Sequence, residues 1–287
     1  MKLFTTNGWD DYSLLDSGEG MRLEQFGEYI LSRPDPQAIW KRTQPPVQWE
    51  NADATFTKKD GKEQWIIRTQ VPSSWKMQYK NLSFLAKLSP FKHTGVFPEQ
   101  HLNWDFIQEK IIKSERKINV LNLFAYTGIA SLAAAAAGAS VTHLDASRPT
   151  IGWARENQET SGLAEKPIRW ILDDAVKFVT REIQRGNSYD GIIMDPPVYG
   201  HGPDGERWDF SEHFPLLVDL CTKVMTDKPL FFIVNAYAIS SSAMMLENVM
   251  RDFPLFNSGT LDVGELALEE KESKRVLSTG MIARWQS

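Results

Sequence analysis

Apolar runs alternate with amphipathic stretches from about residue 118 to the end of the chain. The apolar runs predict five buried strands and two closing strands, at 118–124, 140–145, 168–173, 189–195, 230–235, 258–268 and 276–285. Helices are predicted between them, at 129–137, 147–161, 175–185, 211–225 and 241–251. This alternation indicates an α/β fold with a seven-stranded, Rossmann-like sheet that helices cover on both faces.

Residues 1–90 have a different pattern. Five tryptophans lie there, and β-forming runs at 54–57 and 64–68 flank a turn that contains Asp60-Gly61. An Asp-Gly pair between such runs is a strong signal for a β-hairpin. We therefore expect a small β-rich domain over 1–90 and a larger α/β domain over 91–287.

The composition is that of an ordinary globular protein, with 42% hydrophobic and 24% charged residues among 287. Residues 1–90 hold 12 basic and 11 acidic side chains, and residues 91–287 hold 20 and 26, for a net charge of −5. This net negative charge argues against a protein that binds a long polyanion through its overall charge. A single cysteine, Cys221, the absence of a long apolar run and a first segment without a signal-peptide pattern predict a cytoplasmic protein.

Candidate chemistry lies where the strands end, because ligands of such sheets bind beyond the carboxyl ends of the strands. The first strand runs into Asn122-Leu123-Phe124-Ala125-Tyr126-Thr127-Gly128. One glycine permits a tight turn beside a ligand, whereas a dinucleotide cradle needs several. A plain strand–helix turn is the alternative for this segment.

Acidic residues follow the second and third strands. Asp145 can accept the hydroxyls of a ribose, and Asp173 or, better, Asp174 can accept an adenine amino group. Each could instead only cap the following helix, as Ser147 does in the predicted pattern. Taken together, the three strand ends suggest a ligand that contains adenosine but no phosphates.

The fourth strand ends in Asp195-Pro196-Pro197-Val198-Tyr199. The prolines terminate the strand and hold the Asp195 carboxylate and the Pro196 carbonyl rigidly, so that both can accept hydrogen bonds from a planar amine. Tyr199 is close enough in sequence to stack on such a ring. A strand terminator without function is the alternative.

These segments together resemble the class I S-adenosylmethionine-dependent methyltransferases. The N-L-F-x-Y-T-G and D-P-P-x-[FY] patterns are more narrowly similar to the bacterial 23S ribosomal RNA large-subunit methyltransferases. The resemblance extends to 91–100, which looks like that family's G-x-F-x-x-Q segment. Residues 1–90, with Asp16-Ser17-Gly18 and Arg22-Leu23-Glu24, resemble the leader of uncharacterised members.

The resemblance implies S-adenosylmethionine as cofactor and assigns roles to the matching positions. Asp195, Pro196 and Tyr199 are expected to face the acceptor. The expected cofactor-binding residues are Thr94, Gly95, Phe97, Gln100, Asn122, Phe124, Ala125, Tyr126, Thr127, Gly128, Asp145, Ser147, Asp173, Asp174 and Asp195. The five histidines have no ligand spacing, and we expect no metal.

The absence of a cysteine after the fifth strand indicates which kind of atom accepts the methyl group. Methylation at C5 of a pyrimidine needs a cysteine nucleophile, and the family's members of that type carry it just after the fifth strand. Here residues 232–237 contain none, and Cys221 belongs to the apolar stripe of the preceding helix. We therefore expect transfer to a base nitrogen, with ribosomal RNA as the partner. A small-molecule or protein methyltransferase, a non-catalytic cofactor-binding subunit and an NAD-dependent oxidoreductase are the alternatives.

Overall fold

The structure is a computed structural model that describes residues 2–6, 8–237 and 240–287. Its contacts divide the chain into two compact units. The large unit comprises Met1–Phe4, Leu102–Leu266 and Gly280–Ser287, and the small unit comprises Thr5–His101 and Ala267–Thr279. Among the described residues, no helix is long and apolar enough to span a membrane.

The described residues form seventeen strands and seven α-helices. The strands are β1 Lys2–Thr6, β2 Tyr12–Gly18, β3 Met21–Phe26, β4 Tyr29–Pro34, β5 Ala54–Lys59, β6 Lys62–Ile67, β7 Trp75–Tyr79, β8 Leu82–Ala86, β9 Asn119–Leu123, β10 Ser140–Asp145, β11 Ile168–Leu172, β12 Gly191–Met194, β13 Tyr199–His201, β14 Arg207–Asp209, β15 Phe231–Ala236, β16 Thr260–Glu269 and β17 Val276–Gln286. The helices are α1 Pro46–Glu50, α2 His101–Ser114, α3 Ile129–Ala136, α4 Arg148–Thr160, α5 Ala175–Arg185, α6 Phe210–Lys223 and α7 Ala243–Arg251.

An eight-stranded sheet has the order β1-β16-β17-β15-β12-β9-β10-β11. Strands β9, β10, β11, β12 and β15 are parallel, and β17 runs antiparallel to β15. From β9 the chain continues outward through β10 and β11, and then returns to the other side of β9 to form β12. The strand order therefore reverses between β9 and β12, and their carboxyl ends flank the crevice where such sheets bind ligands.

Both faces of the sheet are buried, because successive side chains of a strand point to opposite faces. On β12, Ile192 belongs to one core cluster and Ile193 to the other, and Phe232 and Phe231 divide in the same way on β15. The parallel strands consequently read as continuous apolar runs. This is why the pattern of the sequence located them.

The small unit is built from antiparallel hairpins. A five-stranded sheet has the order β2-β3-β4-β5-β6, and β7 pairs with β8. The predicted hairpin is confirmed: β5 pairs antiparallel with β6, and Asp60 and Gly61 at its turn have φ values of 52° and 79°. Positive φ at both positions is what a type I′ turn requires.

The predicted seven-stranded sheet needs one correction, since the sheet has eight strands. The additional edge strand is β1, which pairs with β16, about 260 residues away in the chain. An ideal Cβ at Gly264 would overlap the carbonyl oxygen of Lys2, so the missing side chain permits this close pairing. A short strand with such a distant partner leaves no local signal.

The limits of the units also differ from the predicted domains 1–90 and 91–287. Residues 91–101 belong to the small unit, where the Lys87 N–H donates to the Thr94 carbonyl (3.0 Å) and Arg33 donates to the Lys92 carbonyl (3.0 Å). The tip of the closing hairpin, Ala267–Thr279, belongs there as well. Such contacts between distant segments leave no mark in composition.

Candidate functional site

The crevice at the strand reversal is formed by the segments that follow β9 and β12. The first loop, 124–128, follows β9. The segment 195–199 follows β12, and we call it the acceptor loop after the role expected for it. The Asp195 N–H reaches the Leu123 carbonyl at 3.4 Å, so the two loops begin side by side. The ends of β10 and β11 bring Asp145 and Asp173-Asp174 to the same edge of the sheet.

The first loop has an unusual backbone. Phe124, Tyr126 and Gly128 have φ values of 54°, 50° and 81°, and the first two are bulky residues in the left-handed region. A Cβ at Gly128 would lie 2.9 Å from the Cβ of Ala154, so a glycine is required there. Strained positions of this kind persist where the surrounding structure determines them, and they cluster at ligand sites.

Asp145 sits at the end of β10 with an incomplete set of partners. Its Oδ2 accepts from the Tyr126 N–H (2.8 Å), and its Oδ1 accepts from the Ser147 N–H (2.8 Å) and the Thr150 hydroxyl (2.9 Å). Burial raises the pKa of Asp145, and these hydrogen bonds only partly oppose the rise. A carboxylate has about four acceptor positions, so room for about one further donor remains.

Ser147 confirms the predicted helix start. It is the N-cap of α4, with a hydroxyl that accepts from the Thr150 N–H at 3.5 Å. Pro149 follows in the first turn, where its missing N–H has no cost.

The two acids after β11 hold local structure. Asp174 is the N-cap of α5, and its Oδ1 accepts from the Lys177 N–H at 2.9 Å. Asp173 pairs with Arg181 and accepts from the Asp174 N–H at 2.9 Å. Helix capping, the simpler interpretation of Asp174, is therefore realised through Oδ1, and reading of an adenine amino group stays a prediction.

The acceptor loop ends β12 at Met194, as the two prolines predict. Asp195 is half-buried, Pro196 is buried and Pro197 is exposed. Tyr199 begins β13 with 69% of its surface exposed, so its ring is accessible from solvent, and stacking on an acceptor stays a prediction. The loop thus presents a carboxylate, a rigid backbone and an aromatic ring within five residues.

Asn122, a predicted cofactor residue, has its side chain turned into the core. Its Nδ2 donates to Ser131 Oγ (2.9 Å), which lies 3.0 Å from His143 Nδ1. Burial lowers the pKa of His143 to about 3, so this imidazole is neutral. The Asn122 amide therefore supports the floor below Gly128, and any contact with the cofactor stays a prediction.

The predicted residues Thr94, Gly95, Phe97 and Gln100 belong to the small unit. Their segment contains two buried oxygens without a hydrogen-bond partner, Thr94 Oγ1 and Glu99 Oε2. Burial raises the pKa of Glu99. Unsatisfied buried atoms are uncommon and often indicate a ligand site, but the role of this segment in cofactor binding stays a prediction.

Sequence reasoning missed a two-stranded ribbon, β13 and β14, directly after the acceptor loop. Tyr199 pairs with Asp209, Gly200 with Trp208 and His201 with Arg207. The turn contains Asp204-Gly205, a dipeptide of the same kind that identified the β5–β6 hairpin. That signal was present, but the flanking strands are only three residues long.

Cys221 is fully buried on α6, as its place in the apolar stripe predicts. Burial raises the pKa of its thiol, which therefore stays protonated at neutral pH. Over the part of the chain that the structure describes, no group of three or more His, Cys, Asp or Glu side chains is placed to hold a metal ion.

Comparisons with known proteins agree with this arrangement. The model of a family of S-adenosylmethionine-dependent methyltransferases matches residues 55–260. The crystal structure of the SAM-dependent methyltransferase from Agrobacterium tumefaciens is 42% identical, with a TM-score of 0.96 over 100% of this chain and 93% of that chain. A Streptococcus mutans protein described as a SAM-dependent methyltransferase shares the fold, with a TM-score of 0.69 at 17% identity over 95% of this chain and 75% of that chain.

Curated relatives have a longer chain. The ribosomal RNA large subunit methyltransferase K/L of Shewanella loihica is 31% identical over 189 residues, which cover 61% of this chain and 25% of the relative. The protein of the same name from Shewanella amazonensis is 30% identical over 210 residues, which cover 70% and 27%. This chain therefore spans about a quarter of the length of these relatives.

Proposed function

Because this chain belongs to the S-adenosylmethionine-dependent methyltransferase family, we propose that it transfers the methyl group to a base nitrogen of RNA, with large-subunit ribosomal RNA as the first candidate. The observation that carries the proposal is the position of Asp195-Pro196-Pro197 beside the first loop at the strand reversal. The names of the Shewanella relatives support RNA as the substrate class.

The residues of the crevice fit S-adenosylmethionine, which supplies an electrophilic methyl group on a sulfonium. The first loop offers a fixed backbone with no room for a side chain at Gly128. Asp145 keeps an open acceptor position for a ribose hydroxyl, and Asp174 stands at the next strand end for the adenine. Asn122, Phe124, Ala125, Tyr126 and Thr127 would complete the methionine side.

Asp195 and Pro196 would orient the acceptor. Their carboxylate and carbonyl oxygens accept the two N–H groups of an amine, which turns the nitrogen lone pair toward the methyl group. Methyl transfer depends mainly on this alignment of nucleophile, methyl carbon and sulfur. Asp195 would also receive the proton that the nitrogen loses. Tyr199 would stack on the acceptor ring, a contact worth about 1–3 kcal/mol per base.

A nitrogen acceptor is favoured because the described chain brings no cysteine to the site. Addition to a pyrimidine ring needs a thiolate, and the thiol of Cys221 is buried in the core cluster. A small molecule or a protein is the alternative acceptor, and the net charge of −5 favours it.

The test is transfer of labelled methyl from S-adenosylmethionine by purified protein onto three separate fractions: ribosomal RNA, small-molecule extract and protein. We expect label in RNA, recovered after digestion as an N-methylated base. Label in another fraction alone would contradict the RNA assignment, and label at C5 would contradict the argument from Cys221.

Asp195→Ala should lower turnover by about a hundredfold, because misalignment of a reacting group has an effect of this size. Its affinity for S-adenosylhomocysteine, measured by calorimetry, should stay within a few fold. Asp204→Ala is the matched control, since Asp204 is exposed at the ribbon turn. Near-normal turnover of Asp195→Ala would show that the Asp-Pro-Pro segment only ends a strand.

A further inference from the structure

The ribbon of β13 and β14 has two unlike faces. Side chains alternate along each strand, so Tyr199, His201 and Arg207 share the exposed face. Trp208 points the other way and is 3% exposed. Its cross-strand neighbour is Gly200, where a Cβ would come within 3.3 Å of Pro197 Cγ. The inner face therefore combines one large ring with a glycine whose missing side chain leaves room for Pro197.

Trp208 touches both loops of the crevice. Its indole N–H donates to the Pro197 carbonyl at 2.7 Å, which fixes the acceptor loop. Its ring lies 4.8 Å from the ring of Phe124, centroid to centroid, in the first loop. Phe124 is the residue whose φ of 54° opens the left-handed turn. The Trp208 side chain thus contacts both the first loop and the acceptor loop, whose relative position matters for the reaction.

The ribbon itself is anchored at three further places. The Phe210 N–H donates to the Val198 carbonyl at 3.0 Å, which closes the base of the ribbon. Glu206 near the turn pairs with Lys177 of α5. Asp209 caps α6 through the N–H groups of Ser211 (3.0 Å) and Glu212 (3.3 Å). Two of these three anchors, at Glu206 and at Asp209, hold the ribbon independently of the acceptor loop.

We propose that Trp208 is a positioning residue for methyl transfer, which sets the acceptor loop against the first loop through the Pro197 carbonyl and the Phe124 ring. The inference rests on the proposed function for the reaction, but not on the identity of the acceptor. Loss of the indole N–H would free the Pro197 carbonyl and allow Asp195 to shift. A shift of about 1 Å can lower the rate on the order of a hundredfold.

The test compares Trp208→Phe with Trp285→Phe. Trp285 is a similarly buried indole of the same core cluster, 1% exposed, whose N–H donates to the Ser258 carbonyl at 2.6 Å. Both variants lose one buried N–H and keep an aromatic ring. A purely structural role predicts similar losses of thermal stability and similar kinetics for the two.

We expect Trp208→Phe to lower kcat at least tenfold, while the Kd for S-adenosylhomocysteine stays within threefold. Trp285→Phe should keep kcat within twofold. Amide hydrogen exchange, measured with S-adenosylhomocysteine bound, should speed up over 198–201 in Trp208→Phe alone. Equal kcat in both variants, or equal exchange over 198–201, would overturn the inference.

The two proposals fail in different ways. If the wild-type protein labels no RNA, the proposed substrate class is wrong, and the kinetic comparison uses whichever fraction is labelled. If no fraction is labelled, the exchange comparison decides alone: faster exchange over 198–201 only in Trp208→Phe supports the coupling, and its absence refutes it.

Discussion

The two units bury carboxylates in opposite ways. In the small unit, Glu24 accepts from the Tyr12 hydroxyl (2.8 Å) and from two nitrogens of Arg33 (2.7 and 2.8 Å), and it pairs with Arg22 at 3.2 Å. Burial alone would raise the pKa of Glu24, but the two guanidinium groups outweigh it and hold the pKa below its usual value. Three hydrogen bonds and two guanidinium charges thus compensate this buried carboxylate.

Asp145 in the large unit also accepts from three donors, but among the described residues it has no ionic partner, and the net effect of its surroundings is a raised pKa. Asp16 in the small unit also has a lowered pKa despite burial, because it accepts from four donors of Thr43, Gln44 and Trp49. Compensation strong enough to lower the pKa indicates a structural carboxylate, whereas incomplete compensation at the sheet edge leaves an acceptor position for a ligand.

The largest effect should come from breaking the ionic network around Glu24. Glu24→Gln removes the counter-charge of Arg33 and leaves Arg22 paired with Asp35 at 3.7 Å, and removal of one partner of a buried pair costs about 3–5 kcal/mol. Denaturant unfolding should show this loss, and Glu28→Gln, a change at an exposed position of the same unit, should show almost none. A loss below about 1 kcal/mol would mean that the network does not stabilise the small unit.

The pH dependence of Glu24 has a definite sign. Its pKa in the folded protein lies below the unfolded value of 4.5, so its stabilising contribution is complete above pH 4.5. That contribution disappears as the pH falls through the folded pKa. The difference in stability between wild type and Glu24→Gln should therefore shrink in acid, and a difference that grows in acid would contradict the network.

The sequence predicted the large unit far better than the small one. Ser140–Asp145 and Ala175–Arg185 match their predicted bounds, because apolar runs and caps are local signals. The role of Asp16-Ser17-Gly18 was invisible, since Ser17 donates to Glu270, 253 residues away. Trp208 was missed for the same reason: its two partners, Phe124 and Pro197, meet only in the folded sheet.

Asp145→Ala tests the other half of the comparison with Glu24, namely whether Asp145 binds the ligand. Removal of the open carboxylate should weaken binding of S-adenosylhomocysteine by about 1–3 kcal/mol, or about five- to 150-fold. Calorimetry measures this change, with the exposed Asp227→Ala as control. Because the pKa of Asp145 is raised, wild-type affinity should begin to fall in acid at a higher pH than an ordinary aspartate would give. Unchanged affinity in Asp145→Ala would show that Asp145 only holds local structure through its three hydrogen bonds and does not contact the ligand.

Cys221 is a third kind of buried titratable group, and the smallest effect is expected there. It lies on α6 in the apolar cluster with Leu217 and Val218, and burial raises the pKa of its thiol. A protonated thiol in such surroundings packs as a small hydrophobic group. Cys221→Ala removes one heavy atom from the core, so unfolding should become easier by about 1 kcal/mol, as for other small core truncations.

Turnover of Cys221→Ala should stay within a few fold of wild type, with the Kd for S-adenosylhomocysteine unchanged. Cys221→Ser should also keep its turnover within a few fold of wild type. This variant retains a polar group of similar size and tests whether the sulfur itself reacts. Loss of methyl transfer in both variants, with fold and cofactor binding retained, would mean that the thiol leaves its apolar cluster to attack the acceptor. The nitrogen assignment would then fall, because a cysteine nucleophile belongs to methylation at carbon.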